Sequence, residues 1–526
     1  MLTYMVIVPL VISVFLYLFP MEKLARVVSI ATQLALFVAA YRLFMATWEN
    51  DVVVTIGHYY DVLGIMLRAD MLSSVFILLT TFIFLLVAIY SFNEEKSRLF
   101  WFLLFIWEGL IIGIFLANDL FNIFVLTEVA TIVVTVIIMY DRENRSMYDG
   151  IIYFMINMVV VQFYLLGLGY IYRMVGVLDI DAATYGLATL DQRQLMLPYA
   201  LIMTFIGLKC AMMPVFSWLP KAHSTPGASP AASAILSGLH IKSGVYLFLR
   251  FEGLFAAVDS SLFFLGVGII TAIVGIVFAL AQQNIKRVLA YSTIAQIGLI
   301  FAGLSLGGVY NHMGSVFHMI NHAIFKVGLF LSAGVIVHAY GTKDLNKIRG
   351  VLKSMPVVGF ATIPIIFGIA GMPLFNASVS KYFLMYGLSG FLNLIFIAIN
   401  LGTIMIFIKF SAILFGKVPE DVKPVKNDIC QQVPIITLGL LCFVFGVFGE
   451  QVIYYFLNWE GQMYLRGYIQ KSVIFAVSVI VGYFLLKYVV QGRAIFTRIR
   501  DADLGFRGMC AAIGVFFAAF LIVTGF

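Results

Sequence analysis

Residues 203–251 are MTFIGLKCAMMPVFSWLPKAHSTPGASPAASAILSGLHIKSGVYLFLRF, and the charges they carry set the terms for the whole chain. Two apolar segments, one carrying Lys209 and Pro214 and the other Lys242, flank a short linker with Pro220, Lys221, His223, Pro226 and Pro230. Each lysine stands several residues inside a run fit only for lipid or a packed core. A charge there costs roughly 2.5 to 3.5 kcal/mol on insertion scales, so an ionisable residue so placed points to function. The rest of the chain has to account for these two charges.

Working outward, composition fixes the class. At 526 residues, 62% hydrophobic and 11% charged, with a mean hydropathy of +1.04, the chain reads as an all-α polytopic membrane protein whose first partner is the lipid bilayer. The net charge of +7 is scattered through short loops instead of gathered on one face, which excludes a nucleic-acid partner. Cys210, Cys430, Cys442 and Cys510 lack metal-type spacing and read as small core residues. There is no phosphate-cradling glycine loop, nucleophile elbow or iron–sulfur cluster motif. No cofactor and no metal are therefore expected, and no catalytic chemistry is assigned to the chain itself. The opening MLTYMVIVPLVISVFLYLFP has no basic n-region and no cleavage site, which predicts a first spanning helix and not a removed signal.

A helix needs about 20 apolar residues to cross the hydrocarbon core, and about sixteen such runs follow one another between 2–19 and 508–525. The run 356–390 is too long for one crossing and holds Pro364 and Pro373, which predicts a broken helix. Loop charges orient the stack. Lys23 and Arg26, Lys96 and Arg98, Arg142 and Arg145, Lys221, Lys286 and Arg287, then Lys343, Lys347, Arg349 and Lys353 fall on alternate loops. The loop 491–507, with Arg493, Arg498, Arg500 and Arg507, falls on the same side. The positive-inside rule then predicts a multi-pass protein of the cell (plasma) membrane with its N-terminus outside. Residues 52–70 predict a small external hairpin. Met213-Pro214-Val215-Phe216 in the seventh span is echoed by Met372-Pro373-Leu374-Phe375 in the twelfth. An offset of five spans reverses the sense of crossing, the arrangement of inverted repeats in which broken helices mark an ion path.

The buried charges form a set: Glu128 in LFNIFVLTEVATIVVTVIIMY, Lys209, Lys242, His318, His322, Lys326, His338, and Lys381 in GMPLFNASVSKYFLMYGL. Glu128 and Lys209 could be a structural ion pair fixing two helices, or a pair that tunes a proton carrier: desolvation disfavours a charged lysine and a nearby carboxylate restores it. His318 and His322 are four apart and share a helix face, as packed histidines or as relay groups. A zinc site lacks its glutamate and third ligand. For Lys326 and His338, a place near the end of the span, with the lysine snorkelling, is the simpler expectation. Arg250 and Lys286 read as span-end anchors.

At these residues a family resemblance emerges. Glu128, Lys209, WLPKAHS (Trp218–Ser224), LSGLHIKSGVY (236–246), NIKRVLAYSTIAQIG (284–298), NHAIFKVGLFLSAG (321–334) and GMPLFNASVSK (371–381) come in the order seen in the antiporter-like subunit family. That family is shared by Mrp-type sodium/proton antiporters, membrane-bound hydrogenases and the pumping arm of respiratory complex I. The resemblance covers roughly residues 60–415. It implies about 14 core transmembrane helices with two inverted five-helix repeats and broken helices 7 and 12, here followed by about two extra C-terminal helices. The corresponding division is 1–98, 99–254 for the first repeat, 255–416 for the second, and 417–526. It also implies a relay in which Glu128 and Lys209 interact, Lys242 links to the centre, His322 and His338 lie between the halves, and Lys381 ends the second half-channel; helix spacing adds His318. The linker 223–242 is about two residues longer than the common pattern. Lys381, where some members carry glutamate, favours an Mrp D-type or terminal pumping subunit. The expected function is a proton-translocating subunit of a hetero-oligomeric complex with other membrane subunits as partners, carrying H+, with Na+ left open. A redox-driven pump subunit and a structural membrane anchor are the alternatives.

Overall fold

The computed structural model describes residues 1–19, 22–57, 64–94, 96–420, 422 and 428–525. The side chain of Lys23 and the turn of the expected hairpin at 58–63 lie outside the described residues. The chain opens with α1 (Leu2–Leu18) and α2 (Glu22–Thr47), then the antiparallel hairpin β1 (Val52–Ile56) and β2 (Ile65–Ala69), with Val52 opposite Ala69. There follow α3 (Met71–Tyr90), α4 (Arg98–Leu116), α5 (Leu120–Ile138), α6 (Asn144–Val175), the short α7 (Ile180–Leu187), α8 (Gln192–Lys209) and α9 (Trp218–Ser224). The next are α10 (Pro230–Leu254), α11 (Ser261–Ala281), α12 (Ile285–Leu304), α13 (Val309–Tyr340), α14 (Pro356–Ala370) and α15 (Asn376–Leu384). The last are α16 (Gly390–Ser411), α17 (Ile429–Val447), α18 (Gly449–Leu457), α19 (Leu465–Val490), α20 (Ala494–Asp501) and α21 (Phe506–Thr524).

Among the described residues thirteen helices are long and apolar enough to cross a membrane, and α1 and α14 are shorter apolar helices. Counting α8 with α9 and α14 with α15 as single broken crossings accounts for the sixteen runs. The breaks fall where proline forbids helix. α8 stops at Lys209, Ala211 turns left-handed at φ 51°, and α9 restarts four residues after Pro214. α14 stops at Ala370, Gly371 turns left-handed at φ 82°, and α15 restarts three residues after Pro373. Both stops close alike: Met212 N donates to Gly207 O at 2.9 Å and Met372 N to Phe367 O at 3.0 Å, the wide bond that ends a helix on a left-handed residue. The stretch expected to be a linker is, in its first part, the buried helix α9.

A second pair of features repeats. Leu120 N donates to Leu178 O and Ile180 N to Asn118 O, both at 2.9 Å, pinning the start of α5. Ile285 N donates to Lys343 O and Leu345 N to Gln283 O, both at 2.8 Å, pinning the start of α12. Asp119 caps α5 through Asn122 N at 2.7 Å, and Asn284 caps α12 through Lys286 N at 3.0 Å, the short polar side chains that N-termini call for. An odd number of crossings separates the two pins, so they lie on opposite faces of the bundle. Small residues let the second half pack closely. A Cβ on Gly298 of α12 would stand 2.4 Å from Ala272 N of α11, a backbone approach open only to glycine. α21 returns to lie along α8, where a Cβ on Gly207 would meet the Phe516 ring at 2.7 Å.

Candidate functional site

The first broken helix ends on Lys209, whose Nζ donates to Thr131 Oγ1 of α5 at 2.7 Å and to Asn157 Oδ1 of α6 at 2.8 Å. Glu128 lies one turn before Thr131, with both carboxylate oxygens shielded and without a hydrogen-bond partner. Among the described residues no ion pair joins it to Lys209. The two interact across space, and the lysine rests on neutral acceptors.

On its other side Lys209 shares a cavity of about 10 Å3 with His240 and Ser243 of α10, room for about one water. His240 belongs to a π turn, Leu236–His240, and its Nδ1 accepts from Trp107 Nε1 at 3.3 Å; such turns recur at functional sites. Lys242 follows, fully buried, its Nζ donating to Ser237 O inside the same π turn. Lys242 and Lys326 both lie within electrostatic reach of His322. Neither His322 ring nitrogen has a partner. Lys326 stands mid-helix in α13, its Nζ donating to Leu289 O at 2.8 Å and to Ser292 Oγ. The snorkelling expected of it does not occur, because α13 is 32 residues long and carries Lys326 at its buried middle.

One turn before His322, His318 Nδ1 contacts Ser380 Oγ at 2.8 Å and Nε2 contacts Gln296 Oε1 at 2.9 Å. Gln296 Nε2 donates to Thr403 Oγ1 at 3.1 Å, so its carbonyl faces the ring: Nε2 donates and Nδ1 accepts from Ser380. Ser380 precedes Lys381, whose Nζ donates to Ile369 O at 3.3 Å, one of the last carbonyls of α14 and so without a helical partner. Lys381 opens onto a cavity of about 90 Å3 reaching Asn400, Tyr468 and Lys471.

Five of the seven residues singled out, Lys209, Lys242, His318, His322 and Lys381, thus lie in the buried interior from the first break to the second, and Glu128 stands half-buried beside the first. His338 does not join them. It sits exposed in the last turn of α13, three residues before Gly341. Four interior groups were not in the expected relay. His240 and Lys326 lie in the file. His223 of α9 is buried and stacked on Phe330 at 4.5 Å with both ring nitrogens unpartnered. Glu108 of α4 accepts from Gln33 Nε2 at 2.5 Å, with its other oxygen unpartnered. Lys221, counted as a loop charge, is buried and paired with Asp503 at 2.9 Å. Arg250 pairs with Asp70 at 2.6 Å.

A bundle with two broken helices and a file of titratable groups between them defines an ion-translocating membrane subunit. Residues 117–409 match the family described as NADH:quinone oxidoreductase/Mrp antiporter, TM, and the chain belongs to that family. It is 27% identical over 481 residues to the D subunit of the Na(+)/H(+) antiporter of Alkalihalophilus pseudofirmus, covering 87% of this chain and 96% of the relative. It is 30% identical over 429 residues to the N subunit of the NADH-quinone oxidoreductase of Desulforudis audaxviator, covering 76% and 85%. A chain of the Mrp complex from Dietzia sp. DQ12-45-1b has the same fold, with a TM-score of 0.80 at 22% identity over 90% of this chain and 99% of that one. These similar proteins are subunits of multisubunit membrane assemblies.

Proposed function

We propose that this chain is the proton-carrying subunit of an Mrp-type cation/proton antiporter in the plasma membrane, working with other membrane subunits and with Na+ as the counter-ion. The observation that carries the reading is the buried file from Lys209 through His240, Lys242, His322 and His318 to Lys381, which passes from one broken helix to the other. Residues 99–254 and 255–416 are then the two inverted repeats, with 1–98 and 417–526 flanking them and the N-terminus outside.

In this reading Glu128 acts as the gate. Swung onto Lys209, its carboxylate stabilises the charged lysine; held away, it leaves that charge on neutral acceptors in a dry interior, which favours passing the proton to His240 and Lys242. Moving one charge against 100 mV costs about 2.3 kcal/mol, which an inward sodium gradient supplies. The test is Lys242→Met in the assembled complex reconstituted in liposomes. Sodium-driven proton movement falls to background while subunit stoichiometry stays unchanged. Full transport with methionine would sink the relay and leave a structural anchor. The 30% identity to an NADH-quinone oxidoreductase component favours a redox-driven pump as the second reading. Iron–sulfur signals in the purified complex would establish it over the antiporter.

A further inference from the structure

At the basic face of the bundle the loop after α13, the end of α16, the end of α19 and the start of α20 enclose a cavity of about 460 Å3. It is far larger than the space around the relay, and no proton path uses it. Four cations line it: Arg349, Lys409, Arg493 and Arg500. Among the described residues no carboxylate does. Asp501 pairs with one of these cations, Arg500 Nε, at 3.2 Å from an exposed position, while Asp503 pairs with Lys221 and Asp344 caps its own turn through Asn346 N.

Lys409 Nζ is held by Leu280 O at 2.7 Å and by Gln282 O, but among the described residues the arginine donors are largely free. Arg349 commits only Nη1, to Leu345 O at 2.6 Å and Ile348 O at 2.7 Å. Arg493 makes one long bond, Nη2 to Tyr488 O at 3.4 Å, and Arg500 commits only Nε. α20 begins at this cavity without a side-chain cap, so its first N–H groups add to the positive end. Planar guanidinium forks and a helix start are the donors that suit a phosphate.

We propose that this cavity binds a phosphate-bearing anion at the membrane surface, with Arg349, Arg493 and Arg500 donating to its oxygens and Lys409 supplying a fixed charge beneath. The anion is the headgroup of an acidic phospholipid or free inorganic phosphate; the setting favours the lipid. The cavity opens between two spanning helices whose Tyr483 is half exposed, and α20 presents the exposed Ile495 alongside its arginines, the make-up of a helix lying in the membrane interface. Basic pockets between spanning helices suit acidic headgroups.

The test uses the full-length protein in its complex, stripped of lipid in detergent, with the unfolding midpoint followed during titration. Three additions are compared: phosphatidylglycerol, phosphatidylcholine and inorganic phosphate alone. Phosphatidylglycerol should raise the midpoint and phosphatidylcholine should not. Arg493→Gln and Arg500→Gln, the second of which also frees the exposed Asp501, should each weaken the effect about tenfold. Thr497→Glu, which sets a carboxylate in the lining, should abolish it without lowering the midpoint in phosphatidylcholine. An equal rise with inorganic phosphate, lost in the same variants, assigns the site to the free anion. A response to phosphatidylglycerol unchanged in all three variants, or matched by phosphatidylcholine, overturns the proposal.

Discussion

Thr131→Val tests the most specific feature of the relay, a lysine held without a carboxylate. Lys209 Nζ is anchored by Thr131 Oγ1 at 2.7 Å and Asn157 Oδ1 at 2.8 Å, and valine replaces that hydroxyl by a methyl group of the same size. One N–H of a buried ammonium is then left facing carbon. A hydrogen bond to a charged group contributes about 1.5 to 3 kcal/mol, so the charged form loses a factor of about 10 to 100 in population. In liposomes carrying the reconstituted complex, sodium-driven acidification measured over a pH series should fall about tenfold at neutral pH, and the rate profile should move toward acid. The matched control is Thr135→Val, whose hydroxyl bonds only Thr131 O of its own helix, at 2.8 Å; it should behave as the parent. Identical profiles for Thr131→Val and Thr135→Val would show that Lys209 does not depend on its neutral acceptors.

Four further outcomes follow from the packing and the charges. A Cβ on Gly446 would stand 2.2 Å from Leu374 O and 2.3 Å from Phe375 Cα, so Gly446→Ala should wedge α17 off the second break and cost about 1 to 3 kcal/mol. Gly514→Ala, with nothing within 4 Å, should leave the unfolding midpoint of the purified complex unchanged. Burial pushes the Asp70 carboxyl up, but the hydrogen bond and charge of Arg250 outweigh it and hold it below its ordinary value. A depressed carboxylate stabilises the fold above the unfolded value and loses that contribution as pH falls through the folded one. The stability gap between parent and Asp70→Asn should therefore be full at neutral pH and close below about pH 4, as read by thermal unfolding. Lys471→Met removes the ammonium bonded to Tyr382 O at 2.9 Å in the cavity beside Lys381; proton movement should slow several-fold with assembly intact, and an unchanged rate would exclude that cavity from the path.

The chain's outline was legible because the membrane makes errors of composition expensive. Lys209, Lys242 and Lys381 stand out since a charge inside an apolar run has few bland explanations, and Pro214 and Pro373 mark breaks because proline cannot continue a helix. Depth was harder to read. α13 is longer than a bilayer requires, so distance from the end of the apolar run misplaces Lys326, which is central, while His338 does lie in the last turn, exposed. His223 was hidden by its proline-rich surroundings, which read as linker though the residue is buried in α9. His240 carries no charge signal, and its π turn has no sequence mark beside the more conspicuous lysine two residues on. Glu108 carries the same signal as Glu128, in the equally apolar α4. The contacts that join these groups, Lys209 to Asn157 or His318 to Ser380, link positions far apart in the chain and have no local pattern.

The acceptors that hold the lysines explain how buried charge and proton movement coexist. Lys209 rests on a hydroxyl and an amide, Lys242 on a carbonyl of a π turn, Lys326 on a carbonyl and a hydroxyl, and Lys381 on a terminal carbonyl at a helix break. A lysine paired with a buried carboxylate would leave an uncompensated charge on losing its proton, at a cost of about 3 to 5 kcal/mol. A lysine on neutral oxygens leaves only a carbonyl or hydroxyl short of one bond, about 1 to 3 kcal/mol. Irregular backbone at membrane depth is tolerated where it is buried in protein or lines a cavity, and here it supplies two of these acceptors. In the proposed relay, neutral acceptors of this kind let each lysine in the file be charged or neutral at comparable cost, and the proposed swing of Glu128 is what decides between the two.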